Sequence, residues 1–286
     1  MKKTLCILAG LLLMVGNGAF AADKAKKCDA KKCDRVVLAF SQGFQGPEKW
    51  EKHCFPIDKN GYITIFDGTS LNGFRGYGKN HVPRRWILED GCLKFLGKKN
   101  PASEGKEGGD IIFAHKFKNF EMELEWKISQ GGNSGIFYLA TENAKADGSK
   151  LEPIYVSCPE CQVLDNENHP DAKLGKDGNR QASSLYDMIP AKPQNAKPYG
   201  QWNKIKIRVD NGKITHYQNG VQVLQYEMWT PEWIALLQSG KFSEAKWPAA
   251  FRLLSNCGGD EHAGFIGFQD HGDDVWYRNI RVKVLD

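Results

Sequence analysis

After its first two dozen residues the chain has no apolar run approaching the ~20 residues that a membrane-spanning helix requires. Apolar residues almost never recur at helical spacing either, which argues against a helical bundle or a coiled coil. Nor does the body of the chain carry an excess of either charge. The formal net charge is +5, but Lys2 and Lys3 stand near the start, and Ala22 to Arg35 holds six basic residues against three acids. The remaining residues carry 31 basic and 31 acidic side chains. A duplex-binding surface clusters Lys and Arg to neutralise phosphates, so nucleic acid is not expected as a partner.

What is present at the N-terminus is a secretory pattern: Lys2 and Lys3, an apolar stretch from Leu5 to Val15, then Ala19-Phe20-Ala21. Residues 1–21 are expected to be a signal peptide, with the product exported to the periplasm, the outer surface or the medium. Seven cysteines follow it, Cys28, Cys33, Cys54, Cys92, Cys158, Cys161 and Cys257. An oxidising compartment favours disulfides, yet an odd number leaves at least one thiol free or paired between chains. The loose spacing, with Cys158-x2-Cys161 standing alone, argues against zinc. The connectivity stays open.

Alternation with period two recurs from about Tyr62 to the end. Phe120, Met122, Leu124, Trp126 and Ile128 fall on one face of a strand, with Glu121, Glu123, Glu125 and Lys127 on the other. Asn203 to Val209 repeats the pattern. Asn211-Gly212 and Asn219-Gly220 then supply hairpin turns, predicting a three-strand meander to Tyr226. One short helix is predicted over Pro231 to Leu237, capped by Thr230. A dozen short strands with so little helix imply two packed antiparallel sheets or a barrel. Residues 61–286 suit one large β-sandwich. Residues 22–60, rich in Lys and Cys, read as an N-terminal extension docked on it, with Ala22 to Arg35 a mobile leader.

Several clusters could carry chemistry, each with a plainer reading. Glu160, Gln162 and Leu164 share one strand face and Cys161, Val163 and Asp165 the other. Only a bulge would bring Asp165 round to join Glu160. This segment would present acid and amide to a polyhydroxylated ligand, or be a solvent-facing sheet edge. Asn133, in Gly131-Gly132-Asn133-Ser134-Gly135, points an amide into a groove or sits in a simple hairpin. Tyr186 and Asp187 are adjacent, so only one faces a ligand in a regular strand. Gln269, Asp270, His271, Asp273 and Asp274 crowd one turn, as a base or ligand cluster or as a polar tip. Arg278 shares a face with Trp276, Ile280, Val282 and Val284, and there it must find a carboxylate, Glu160 or Asp165, or line a groove.

At these residues the sequence resembles the 3-keto-disaccharide hydrolase domain family. The likeness runs in order through Ile65-Phe66-Asp67-Gly68-Thr69-Ser70-Leu71, Gly73-Phe74, Asn133-Ser134-Gly135-Ile136, and Glu160 with Gln162-Val163-Leu164-Asp165. It continues through Leu185-Tyr186-Asp187, Trp202-Asn203, Asn219-Gly220, Thr230-Pro231-Glu232-Trp233, Lys241-Phe242 and the block from Gly264 to Arg281. It spans roughly Tyr62 to Asp286. Cys161 and Ser183-Ser184 depart from the pattern, and Cys158 with Cys161 would suit a staple beside Glu160 or an altered groove. The resemblance implies an all-β, two-sheet antiparallel jelly-roll sandwich of the concanavalin A type with a sugar-binding concave face. It also implies a carbohydrate substrate, a 3-keto-glycoside supplied by a sugar 3-oxidoreductase.

For such a substrate the expected base is Glu160 or His271, oriented by Asp165. Arg278, Gln162, Asn133 or a divalent cation such as calcium would stabilise the enolate, and Tyr186 or Asp187 would protonate the leaving oxygen. Gln269 is expected to bind substrate. Two other functions compete. A laminarinase-like hydrolase uses Glu-x-Asp-x-x-Glu, whereas this chain has Glu160-x-Gln162-x-x-Asp165, which lacks the paired carboxylates. A non-catalytic carbohydrate-binding module is the third reading.

Overall fold

The computed structural model describes residues 35–43 and 50–285. The expected signal segment and nearly all of the expected leader lie outside them. In chain order the strands are β1 (Arg35–Ser41), β2 (Trp50–Pro56), β3 (Tyr62–Phe66), β4 (Phe74–Gly76), β5 (Trp86–Glu89), β6 (Cys92–Phe95) and β7 (Ile111–Phe117). There follow β8 (Phe120–Ile128), β9 (Asn133–Ala140), β10 (Glu160–Leu164), β11 (Asn203–Asp210), β12 (Lys213–Gln218) and β13 (Val221–Glu227). Helices α1 (Pro231–Ser239) and α2 (Pro248–Ser255) precede β14 (Gly264–Phe268) and β15 (Val275–Val284).

Two antiparallel sheets form the sandwich, as expected of a jelly roll. One has the order β10-β9-β14-β7-β4; the other runs β13-β12-β11-β8-β15-β6-β5, with β3 added beside β15. The predicted meander is β11-β12-β13. Its turns place Asn211 and Asn219 at φ 48° and 50°, followed by Gly212 and Gly220 at 87° and 84°, the left-handed pair that a two-residue hairpin turn demands. Between the sheets, the apolar face of β8 packs into one buried cluster with Ile136, Phe268 and Tyr277. Buried polar pairs tie the layers together: Ser134 Oγ lies 2.9 Å from the Tyr277 hydroxyl, and the Tyr138 hydroxyl lies 2.9 Å from His216 Nε2. Burial drives the His216 pKa down to about 4, so it is a neutral core residue.

Thr230 accepts from the Trp233 N–H at 3.2 Å and caps α1 as predicted. Helix α2 was not predicted. Its N-cap is Trp247, which makes no side-chain cap bond, so Pro248 at the first helical position is its one start signal. The described part of the N-terminal extension forms the hairpin β1-β2, with Phe40 and Phe55 packed on Phe113 at ring distances of 5.1 and 5.5 Å. Arg75 holds its end, donating from Nε to the Ser41 carbonyl at 2.9 Å and pairing with Glu142 at 2.6 Å.

Candidate active site

A cavity of about 240 Å³ lies on the face of the five-stranded sheet turned away from the core. Its polar wall is built by the sheet. Asn133 begins β9, Glu160 and Gln162 alternate along β10, and Gln269 and His271 follow β14. Tyr155 and Cys158 come from the turn before β10, Tyr186 and Met188 from the loop after it. Lys241 and Phe242, between α1 and α2, and Leu254 of α2 complete the other side.

The polar wall is short of partners. Asn133 Oδ1, Gln162 Nε2 and Gln269 Oε1 are all buried without a hydrogen bond. Buried polar groups are nearly always satisfied, and three orphans around one cavity mark places for ligand atoms. Two accept and one donates, a set that suits hydroxyl and carbonyl groups of a sugar.

Glu160 is 8% exposed. Burial pushes its pKa up to about 8, with Asp110 and Asp171 pushing the same way and the Lys241 ammonium opposing them. The Lys241 ammonium is 4.2 Å from the Tyr186 ring centroid and 3.9 Å from Asp187 Oδ2. Burial lowers its pKa, and Asp187 counters that shift. The segment carrying Tyr186 runs beside β10 rather than forming a strand of its own: Tyr186 N–H donates to the Glu160 carbonyl at 3.0 Å, and Ser183 N–H to that of Gln162 at 2.7 Å. Tyr186 thus faces the cavity while Asp187, at φ 59°, turns to Arg180 at 2.5 Å.

Of the expected site residues, Glu160, Gln162, Asn133, Gln269, His271 and Tyr186 line this one cavity. His271 stands exposed at its rim, its Nε2 3.5 Å from Asn133 Nδ2. The other three, Asp187 turned to Arg180 and Asp165 and Arg278, do not line it. The pairing of β10 with β9 runs in unbroken register from Glu160 to Leu164, so no bulge carries Asp165 to the Glu160 side. Asp165 instead accepts from Gly131 N–H and Asn168 Nδ2 at 2.8 Å each, closing two turns. Arg278 pairs not with Glu160 or Asp165 but with Glu125 at 2.6 Å, and stacks on Trp202 at 4.0 Å, on the outer face of the larger sheet.

A bulge explains the difference at Arg278. Asn279 adopts φ 54° and the register of β15 on β8 shifts between Arg278 and Arg281. The alternation therefore changes phase, and Ile280 and Val282 turn inward while Arg278 stays outside. The acids of the 269–274 turn are likewise occupied by backbone. Asp270 accepts from Gly109 N–H at 2.7 Å, Asp273 from Asn133 N–H at 3.1 Å and Asp274 from Gly97 N–H at 2.6 Å.

Sequence reasoning missed Lys241 and Tyr155 as site residues. Lys241 falls within the Lys241-Phe242 motif of the family, its one available signal; Tyr155 had none. Cys158 and Cys161 are free, buried thiols, with Cys158 lining the cavity and Cys161 in the core between the sheets, so no staple joins them. Cys92 and Cys257 are also free, and Cys54 is disulfide-bonded. Among the described residues no three His, Cys, Asp or Glu side chains gather as metal ligands. The lining offers one carboxylate, Glu160, beside the unpaired Asn133 and Gln269 side-chain oxygens, the donors that would face a hard cation such as calcium.

The comparisons with known proteins agree with this geometry. The chain is 57% identical over 284 residues to the 3-keto-disaccharide hydrolase of Bacteroides thetaiotaomicron, covering 98% of this chain and 97% of that one. A crystal structure of a candidate glycosyl hydrolase from Parabacteroides distasonis superposes with a TM-score of 0.64 at 26% identity, covering 79% of this chain and 95% of the other. A second from the same organism gives a TM-score of 0.57 at 23% identity, covering 78% and 99%, and supports the fold. No helix among the described residues is long and apolar enough to cross a membrane. Residues 61–283, the whole sandwich with its cavity, match the model of the 3-keto-alpha-glucoside-1,2-lyase-like domain, and the chain belongs to that family.

Proposed function

We propose that this protein is an exported carbohydrate hydrolase that cleaves 3-keto-glycosides by elimination across C1 and C2, followed by hydration. The observation that carries the mechanism is the single carboxylate of the cavity. Glu160 is the one Asp or Glu among its lining residues, whereas ordinary retaining and inverting glycosidases set two carboxyl groups either side of the scissile bond. Gln162 stands two residues from Glu160 on the same strand face, where the laminarinase pattern has an acid.

A C3 ketone removes the need for the second carboxylate. It acidifies the C2 hydrogen and leaves the glycosidic oxygen β to the carbonyl. Glu160 takes the C2 proton, and the C–H electrons pass to the C3 oxygen as an enolate. That enolate collapses to a C1=C2 double bond and expels the oxygen at C1. Burial suits Glu160 to this task, since a raised pKa makes a carboxylate a stronger base. His271 stands exposed at the rim.

The unpaired Gln162 amide is the donor for the enolate oxygen, and Asn133 and Gln269 accept from sugar hydroxyls. Tyr186, which lines the cavity, gives its phenolic proton to the departing oxygen. Water then adds its hydroxyl to C1 and a proton to C2, which completes a net hydrolysis. An elimination of this kind is a 1,2-lyase step and its hydration yields a hydrolysis product, so the family description and the relative's name describe two stages of one reaction. The ketone itself requires prior oxidation of a C3 hydroxyl, the work of a sugar 3-oxidoreductase.

The test is turnover of a 3-keto-disaccharide in deuterated water. Deuterium at C2 of the released sugar is expected, with no covalent glycosyl intermediate. Retention of the C2 hydrogen together with cleavage of unoxidised glycosides would make the protein a conventional hydrolase. Binding without turnover would make it a carbohydrate-binding module.

A further inference from the structure

Lys241 belongs to no strand and no helix, yet its ammonium is held on a fixed seat. It lies over the Tyr186 ring at 4.2 Å and the Phe242 ring at 4.9 Å, and Asp187 Oδ2 is 3.9 Å away. Those neighbours are themselves anchored. Tyr186 is bonded to the Glu160 backbone, and Asp187 is bound by Arg180, which also holds Asp171 at 2.8 Å. Arg180 is thereby committed to two carboxylates. Lys241 is the one Lys or Arg among the residues lining the cavity.

We propose that Lys241 is the charge partner of Glu160, the cation that lets the buried carboxylate hold its ionised form when substrate fills the cavity and displaces water. The proposal rests on Glu160 being the base. Its physical basis is the cost of an isolated buried charge, which a nearby opposite charge offsets.

The other groups facing Glu160 do not supply that charge. Asp110, before β7, and Asp171, in the turn after β10, are acids and oppose ionisation. Tyr155, Cys158 and Tyr186 have pKa values raised by burial and remain neutral. His271 is at the rim. Lys241 for its part faces Asp187, Arg180, Asp171 and Glu160. Lys241 is accordingly a positioning residue: it acts on the reaction through the ionisation of Glu160.

The experiment compares wild type, Lys241→Met and Lys241→Arg by two readouts. The first is the pH dependence of kcat/KM on a 3-keto-glycoside, and the second is the titration of the Glu160 carboxyl by carbon-13 NMR in the free enzyme. In Lys241→Met both midpoints should move up by about one pH unit or more, the range expected when a neighbouring opposite charge is removed, and the rate should recover towards high pH. Lys241→Arg should keep both midpoints near those of wild type. A purely structural role would lower the rate equally at every pH and leave the NMR midpoint in place; that result would overturn the proposal. Glu160→Gln separates the two levels of the argument. If that variant keeps full activity, Glu160 is not the base and the proposed mechanism fails; if it is inactive while the Lys241→Met midpoints stay put, only the role of Lys241 falls.

Discussion

The carboxyl of Glu160 lies against the bare Cα of Gly135 on the neighbouring strand: a Cβ there would come within 2.9 Å of Glu160 Cδ. Gly135 is not in the left-handed region, so space rather than torsion demands a glycine. Gly135→Ala should displace the carboxylate and lower kcat by about a hundredfold, the scale of loss for a misplacement of roughly 1 Å. The strand itself should survive, which chemical denaturation would show as a small change beside the kinetic loss.

Replacing Glu160, the proposed base, should cost more than replacing any residue of the outer sheet face. Glu160→Gln should reduce kcat/KM by at least about a hundredfold, the lower end of what a general base contributes. Arg278→Ala should leave turnover within about twofold, and its loss of stability should stay under about 1 kcal/mol, as for other half-exposed ion pairs. Equal losses in the two variants would contradict the placement of Arg278 away from the cavity.

Stability should fall as the medium becomes alkaline. Burial raises Glu160 from 4.5 to about 8, and burial also raises Asp110 from 3.8 to about 7. Between the unfolded and folded values the folded chain retains protons that the unfolded chain has lost, so rising pH favours unfolding. His216, held down to about 4 by burial, works the other way below its ordinary 6.5, so the net decline should fall between about pH 6.5 and 8 and flatten stepwise in Asp110→Asn and Glu160→Gln. Denaturation midpoints measured across that window would check it. A wild-type midpoint that rises over the same range would refute the assignment.

The ion pair of Arg75 and Glu142 has side-chain exposures of only 5% and 8%. Glu142→Ala would leave the guanidinium buried without its counter-ion and should destabilise the protein by about 3–5 kcal/mol. The Glu142 carboxylate also accepts from Gly78 N–H at 2.6 Å. Urea denaturation should therefore show a large loss, and replacing Arg75 and Glu142 together by apolar residues should recover much of it.

Much of the sandwich was legible along the chain because its signals are local. The alternation in Phe120–Ile128 fixes one wet and one dry face, each Asn-Gly pair permits a turn that few other dipeptides do, and Thr230-Pro231 starts α1. The family motifs brought Asn133, Glu160, Gln162, Tyr186, Gln269 and His271 into one list, and the structure brings them to one cavity. At Arg278 a single residue outside the pattern is responsible for the difference. Asn279 adds one residue to β15 and changes which face Arg278 occupies, and no periodicity announces a bulge. Trp247 precedes α2 without a side-chain cap, so Pro248 alone marks that helix's N-terminus.

The sequence by itself determined most strands of the sandwich, the two Asn-Gly turns and which acids and amides are available to a site. It could not rank those acids, because a carboxylate's basicity depends on how much water surrounds it. Asp165, Asp187, Asp270, Asp273 and Asp274 are bonded to backbone or to Arg, Asn and Lys side chains. Glu160 alone lines the cavity, between β9, the Tyr186 segment and the Lys241 connection. Desolvation and the charge opposite it come from segments some 25 and 80 residues further along the chain. Only the tertiary structure brings them together, because burial is a property of the whole assembly of chain segments and not of any residue's neighbours in sequence.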